Sequence, residues 1–315
     1  MPWADSRECR GMKKRVAVLM GGKSGEREVS LRSGAAVAKA LRVLGHQVIQ
    51  IDVGQDIAAK MGEFCSDTDV VFNALHGRYG EDGCVQGFCE VLGLPYTHSG
   101  VLASALAMNK PMSKRLFSNA GIPVPKGEVF SHREILAREP MPRPYVVKPL
   151  DEGSSLGVHI VRDGEESPVG GHTRSHDGHV LVEDYVPGRE LTVAIMKERS
   201  LEVLEIRPSK GFYDYDSKYT KGRVEYLIPA PISDSIRKEA LHLALLAHQT
   251  LGCRGVTRAD FRYDGSEGGL GLRLLELNTQ PGLTPTSLVP EIAAHVGIDF
   301  QMLVNWMLED ARCNV

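Results

Sequence analysis

The sequence predicts an α/β protein whose first part is a doubly wound parallel sheet domain. Three observations carry this. A β-branched run closes on paired glycines and is followed by a helix-period segment; two further short apolar runs each follow a helical stretch; and beyond about residue 98 the pattern changes to strands and turns. At 315 residues the chain exceeds what one hydrophobic core usually organises, so two or three modules round a shared site are expected.

In chain order, residues 15–20 (Arg-Val-Ala-Val-Leu-Met) form a short apolar run ending in Gly21-Gly22, and residues 28–44 then carry Val29, Ala36, Val37, Ala40 and Leu41 at helical spacing. Strand, glycine turn and helix follow. Residues 47–53 and 69–74 read as second and third strands, parallel because crossovers join them. Sites in such sheets lie beyond the carboxyl ends of the strands, where 21–28 and 75–82 fall. A helix over 103–120 then leads to Gly121-Ile-Pro-Val-Pro125. Strands are expected at 145–148, 158–161, 179–185 and 191–197, around a polar, glycine- and histidine-rich stretch at 163–178 that reads as a surface excursion. A polar loop at 211–223 precedes an amphipathic helix at 236–251, strands at 257–263 and 272–278, a Pro/Gly/Thr loop and terminal helices.

Composition removes several function classes. With 37 basic against 40 acidic residues the net charge is -3, whereas a binder of nucleic-acid backbone is usually basic. The first apolar run, 16–20, is far too short for a signal-peptide core or a membrane span, so no membrane partner and a cytoplasmic location are expected. Cys9, Cys65, Cys84, Cys89, Cys253 and Cys313 are scattered with no CxxC pair or matching histidine spacing, which fits reduced thiols.

Two constellations carry chemistry. Period-2 alternation puts Glu276 and Asn278 on one face of a strand, and Arg258 and Asp260 on one face of another. Carboxylates with an amide oxygen, and no histidine or cysteine, suit a hard cation such as Mg²⁺ held partly by nucleotide phosphates. Alternation alone fits solvated charges on an exposed strand face equally well. The second is the run ending in Lys148-Pro149, followed by Glu152-Gly-Ser-Ser-Leu-Gly157, where backbone N–H groups and hydroxyls can wrap phosphate oxygens beside a lysine. Neither standard nucleotide loop is present: a Walker spacing for Gly22-Lys23-Ser24 needs glycine at Ala17, and Met20 occupies the first glycine of a dinucleotide fingerprint.

Six motifs in order then carry a resemblance. Gly21-Gly22-x-Ser24-x-Glu26-Arg27-Glu28-Val29-Ser30, Leu75-His76-Gly77-x-x-Gly80-Glu81-Asp82-Gly83, Val147-Lys148-Pro149 with Glu152-Gly-Ser-Ser155, Phe212-Tyr-Asp-Tyr-x-x-Lys218-Tyr219, Arg258-x-Asp260 and Leu275-Glu276-x-Asn278-Thr279-x-Pro281-Gly282 resemble the D-alanine:D-alanine ligase family within the ATP-grasp group. The resemblance runs from about Val16 to the end of the chain. It implies a two-part ATP-grasp fold after the N-terminal domain, with modules at 1–98 (substrate-binding), 99–184 (central) and 185–315 (metal and substrate site).

Carried over by position, the resemblance implies that Asp260, Glu276 and Asn278 hold two Mg²⁺ ions, with Mn²⁺ an acceptable substitute, and that Lys110 and Lys148 contact the phosphates of ATP. Glu183 and Glu190 would take the adenine amino group and the ribose, and Lys218 would close over the γ-phosphate. Glu26 would receive the ammonium of the first D-alanine, His76 would lie near its carboxylate, and Ser154 and Tyr219 would complete a network with Glu26. Arg258 and the Gly282 N–H would meet the oxyanion, while Ser287 and Leu288 hold the second D-alanine. The implied reaction makes a cell-wall dipeptide through an acyl phosphate, in a homodimer.

Rival readings are a depsipeptide ligase using D-lactate, which Tyr219 disfavours, another ATP-grasp ligase with a different acid, which the Glu26 and His76 pairing disfavours, and a non-catalytic sensor built on the N-terminal domain. Two residues depart from the family pattern: Gln280 stands where a small residue is common, and Pro285 lies inside the substrate loop. Both bear on the geometry of the second D-alanine site.

Overall fold

The computed structural model describes residues 13–54, 56, 59–60, 62, 67–153, 157–165, 178–208 and 224–313. Ser154, Lys218 and Tyr219 lie outside the described residues, as does most of the 163–178 excursion.

Strand β1 (Arg15–Met20) pairs in parallel with β2 (Gln47–Asp52) on one side and β3 (Val70–Asn73) on the other. Helix α1 (Arg27–Val43) is the crossover between β1 and β2, and α2 (Cys84–Leu92) follows β3. This is the expected parallel sheet. Its carboxyl ends open onto two loops, 21–26 and 74–83, that together form one wall of the site described below.

Where one helix was expected at 103–120, there are two, α3 (Val101–Met108) and α4 (Lys110–Asn119). The break is local chemistry. Asn109 leaves helical geometry at φ -84, ψ 92, and its side chain accepts the Met112 N–H as an N-cap, with Pro111 in the first turn. The break puts Lys110 at the first position of α4.

A four-stranded antiparallel sheet follows, in the order β4 (Gly127–Ser131), β7 (His179–Asp184), β5 (Tyr145–Pro149), β6 (His159–Val161), with α5 (His132–Ala137) opened by a Ser131/Glu134 capping box. A five-stranded antiparallel sheet comes next, in the order β10 (Val224–Leu227), β9 (Arg199–Pro208), β8 (Arg189–Met196), β11 (Val256–Asp264), β12 (Gly271–Asn278). The sequence does not single out β4, β9 or β10.

Helix α6 (Asp234–Thr250) covers one face of the larger sheet, packing Ala240, Leu243, Ala244 and Ala247 on Leu191, Val193, Phe261 and Leu277. The other face is shared. Val37 and Leu41 of α1, Val289 and Ile292 of α7 (Leu288–His295), and Leu303 and Val304 of α8 (Phe300–Asp310) form one core with Ala194, Met196 and Val256. The N-terminal domain and the larger sheet are therefore welded by continuous apolar packing. By contrast the four-stranded sheet has its own small core, centred on Tyr145, Val147, Val180 and Val182, separate from the other clusters among the described residues.

Helix α6 is pinned to β11 by a buried histidine. His248 Nδ1 lies 2.8 Å from Thr257 Oγ1, and burial pushes the His248 pKa down to about 4. The unfolded chain takes up this proton near pH 6.5 and the native state does not, so stability from the neutral ring is complete above that value and declines as pH falls towards 4. At about pH 5 this one group is expected to cost roughly 2 kcal/mol relative to neutral pH. His248→Asn should lose this component, so that its unfolding free energy changes less than the wild type's between neutral pH and about pH 5. Parallel dependences in urea titrations at the two values would show that His248 contributes nothing.

Candidate active site

Glu26 stands at the N-cap position of α1, just after the turn through Gly21 and Gly22 at φ 82 and 83. Its backbone N–H donates to Ser24 Oγ at 3.2 Å, and Ser24 Oγ donates to the His76 carbonyl at 2.6 Å, so the two loops at the sheet's carboxyl end are tied together. Gly77, at φ +70, completes the approach: a Cβ there would sit 2.8 Å from Ser24 Cβ and 3.2 Å from Glu26 Oε2. A Cβ on Gly153 would lie only 2.7 Å from the same oxygen. Gly153, just after β5, therefore lies directly against Glu26, which brings the chain leaving that strand to the N-terminal wall.

His76 is buried beside Ser33, with Nε2 3.4 Å from Ser33 Oγ. Burial lowers its pKa, the neighbouring Glu26 charge opposes this, and Arg258 reinforces it. Glu81 was named in the sequence only as part of a motif. Its carboxylate accepts the Gly77 N–H at 2.8 Å, and burial, then the Glu26 charge, hold its carboxyl well above the usual range. Arg258 and Glu276 also act electrostatically on Glu81, which sets β11 and β12 near this wall.

On the larger sheet the pairing of β11 with β12 sets Arg258 opposite Asn278 and Asp260 opposite Glu276. The expected convergence of these four residues is present. Continuous alternation would not have delivered it, since Leu272 and Leu274 face α6 and the same parity would send Glu276 and Asn278 into that core. The register steps from Leu274 to Glu276, leaving Leu275 as an extra residue, and this bulge turns the two polar side chains to the site. Arg258 donates to Asp260 through Nε at 2.8 Å and Nη2 at 2.7 Å, a two-pronged pair with both side chains about five-sixths buried (15% and 16% exposed). Thr192, opposite Asp260 on β8, donates its hydroxyl to Asp260 Oδ1 at 2.6 Å. A threonine in an apolar strand carried no sequence signal beyond sharing a face with Glu190. Glu190 itself lies opposite Arg262 on β11, their closest charged atoms 3.6 Å apart.

Lysines form the third side. Lys110 Nζ donates to the Glu152 carbonyl and lies 3.7 Å from Glu276 Oε2, bridging β12 and the segment after β5. Lys148 on β5 and Lys114 on α4 flank the buried Glu183 carboxylate, Lys114 at 2.6 Å. Burial disfavours charge on Glu183, but the two lysines outweigh it and hold its carboxyl below the usual range; burial pushes Lys114 down to about 8. Lys114 was missed in the sequence, although Lys110, Ser113, Lys114 and Phe117 are the buried positions of α4 and keep helical spacing. Fully charged, the trio carries two cations to one anion, a buried positive excess that an anionic ligand would offset.

Residues 278–288 close the site. The Gln280 N–H donates to Asn278 Oδ1 at 2.8 Å, and Leu283 N–H donates to Ser33 Oγ at 3.2 Å. Ser287 precedes α7 and its Oγ accepts the Thr284 N–H at 3.0 Å, while Leu288 packs at the margin of the shared core. A Cβ on Gly282 would come 3.3 Å from Ser287 Oγ, so the Gly282 backbone and the Ser287 hydroxyl are neighbours.

Comparisons with known proteins agree with this architecture. A profile described as D-ala D-ala ligase C-terminus matches residues 116–309, and one described as D-ala D-ala ligase N-terminus matches 53–99. D-alanine–D-alanine ligase of Paramagnetospirillum magneticum is 56% identical over 307 residues, covering 96% of this chain and 100% of that protein. The Acidiphilium cryptum ligase is 51% identical over 303 residues, covering 96% and 100%. Among solved structures, a Bacillus anthracis D-alanine–D-alanine ligase superimposes with a TM-score of 0.77 at 29% identity, covering 94% of this chain and 97% of that one. The Enterococcus faecalis VanG D-Ala:D-Ser ligase gives 0.76 at 28%, covering 94% and 99%. With two matching profiles, near-complete coverage of relatives at over half identity, and this arrangement of loops and strands, the chain belongs to the D-alanine–D-alanine ligase family.

Proposed function

We propose that the chain ligates two D-alanine molecules at the expense of ATP, supplying a dipeptide for cell-wall synthesis in the cytoplasm. The observation that carries this is the facing of a Glu26/His76 wall with an Arg258–Asp260/Glu276–Asn278 wall, with Lys110, Lys114 and Lys148 along the third side. A carboxylate for an ammonium, cations for phosphates and a guanidinium for a developing oxyanion are what joining an amino acid to an amine through an acyl phosphate requires.

In this reading the modules are 1–98, 99–184 and 185–315, with ATP between the two antiparallel sheets. Lys110 and Lys148 meet its phosphates, Glu183 and Glu190 the adenine amino group and the ribose, and Lys218 the γ-phosphate. Glu183, already flanked by Lys114 and Lys148, would also fix the height of Lys148. Glu26, with Ser154 and Tyr219, takes the first D-alanine's ammonium, and neutral His76 lies near its carboxylate. That carboxylate attacks the γ-phosphorus and releases ADP. The amine of the second D-alanine, held by Ser287 and Leu288, attacks the acyl phosphate; Arg258 and the Gly282 N–H stabilise the tetrahedral oxyanion until phosphate leaves. The surrounding residues position and neutralise rather than act as nucleophiles.

Asp260, Glu276 and Asn278 offer two carboxylates and an amide oxygen on adjacent strands. Such an all-oxygen set of few protein ligands suits a hard ion whose coordination phosphate and water would complete. We assign two Mg²⁺, replaceable by Mn²⁺, to it. When bound, Mg²⁺ would offset charge on the transferring phosphoryl group.

Phosphate release from Mg-ATP with D-alanine, against L-alanine, D-lactate and D-serine, with the product identified by mass, tests the function. Release that requires D-alanine and yields D-alanyl-D-alanine supports it; release with none of these substrates, or absence of ATP binding, refutes it.

The expected homodimer needs a self-complementary apolar patch. Helices α2 and α3 lie together and expose Phe88, Val91, Leu92 and Leu102, with Val91 86% and Leu102 71% exposed. Light scattering should give twice the chain mass, and Val91→Glu with Leu102→Glu should give the monomer. A wild-type monomer would remove this assignment.

A further inference from the structure

The Gln280 side chain is almost wholly buried (1% exposed). Its Nε2 donates to the Leu75 carbonyl and its Oε1 accepts from Asn73 Nδ2 at 2.9 Å. Asn73, as deeply buried, uses its remaining groups on the same loop: Nδ2 also donates to the Gly80 carbonyl at 2.8 Å, and Oδ1 accepts the Leu75 N–H at 3.1 Å. Gln86 Nε2 donates to the same Gly80 carbonyl at 3.0 Å. One carboxamide from the exit of β12 thus closes onto the loop that begins at the end of β3 and carries His76.

The backbone of Gln280 points the other way. Its N–H fixes Asn278 Oδ1, as described above, and its backbone hydrogen-bonds the His76 imidazole. A single residue therefore touches the proposed first-substrate histidine, the carbonyl preceding it and a proposed metal ligand, and stands two positions before the Gly282 amide. The apolar core welds the two walls but contributes no direction; the carboxamide, with a donor and an acceptor in fixed geometry, sets register between them, beside the Leu283 N–H bond to Ser33 Oγ.

We propose that Gln280 is a positioning residue for the ligation: paired with Asn73, it sets the spacing and register between the D-alanine wall around His76 and the wall formed by Asn278 and Gly282. This rests on the ligase reading above. A small residue at 280 would leave the Asn73 amide and the Leu75 carbonyl without this partner. The pair is then a unit in which Asn73 and Gln280 depend on each other.

The test is steady-state kinetics of the full-length enzyme with D-alanine and ATP varied separately, with thermal midpoints, for wild type, Gln280→Met, Asn73→Leu and the double variant. Methionine retains length and removes both side-chain hydrogen bonds. Gln280→Met is expected to lower kcat/KM for D-alanine by about 100-fold, with KM for ATP within about threefold, because two buried partners are left unmade on the D-alanine wall only. Asn73→Leu should act in the same sense, and the double variant should be little worse than the poorer single, since the second change removes a partner already lost. If Gln280→Met does not fold, Gln280→Asn keeps a neutral donor and acceptor but shortens their reach to Leu75 and Asn73, and should show the same split at about 10-fold. Equal proportional losses for ATP and D-alanine, multiplicative losses in the double variant, or unaltered D-alanine kinetics would each overturn the proposal. A wild-type enzyme inactive on D-alanine would overturn the ligase reading itself, a result distinct from any behaviour of the variants.

Discussion

Asp260→Asn is expected to reduce kcat by about three orders of magnitude or more, through loss of a proposed anionic metal ligand and of the anchor that orients Arg258. Asp260 accepts both prongs of Arg258 and the Thr192 hydroxyl, and lies opposite Glu276 in the β11–β12 ladder. Asparagine keeps an oxygen for Thr192 and for one Arg258 N–H, so the sheet should survive. The loss belongs to kcat because the oxyanion and the transferring phosphoryl group are most demanding in the transition state. Rapid-quench measurement of ADP formation should show the chemical step slowed, and titration with Mn²⁺ should show weakened metal binding. Wild-type turnover in this variant would rule out the metal assignment.

Glu183→Gln is expected to be the most damaging single change to stability. The carboxylate is the counter-ion of both Lys114 and Lys148 in a site from which water is excluded. An amide presents one acceptor and one donor to two cations, so at least one lysine is left buried and unpaired, which costs roughly 3–5 kcal/mol. For a unit of this size the thermal midpoint should fall by about 10 °C. Because Lys148 loses its support, KM for ATP should rise as well, and saturating ATP should restore part of the lost midpoint by mass action. A midpoint unchanged from wild type would show that the lysines relax into solvent and that the trio carries no structural weight.

Much of the site was legible because its chemistry is written in short segments. Glu26, His76, Lys148, Arg258, Asp260, Glu276 and Asn278 each lie in or beside a strand marked by glycine, proline or local alternation, and the structure brings them together. Lys114 and Thr192 were not, because a lysine on a helix and a threonine in a strand are ordinary until burial gives them a carboxylate partner. Gln280 was visible only as a departure. Its meaning depends on Asn73, 207 positions away in the chain, and no local pattern reports that distance. The helix expected at 103–120 divided at Asn109, a capping residue whose effect was overlooked.

By itself the sequence determined the class of fold, the parallel opening sheet, the family and the residue types of the site. These follow from side-chain periodicity and from motifs a few residues long, which are properties of neighbouring positions. The tertiary structure alone decided which way the metal strand faces and how the two walls are held in register. An extra residue at Leu275 reverses the parity of β12, and a buried carboxamide spans two modules; both are settled by pairing between distant segments, where strand register and hydrogen-bond complementarity act and local spacing is silent.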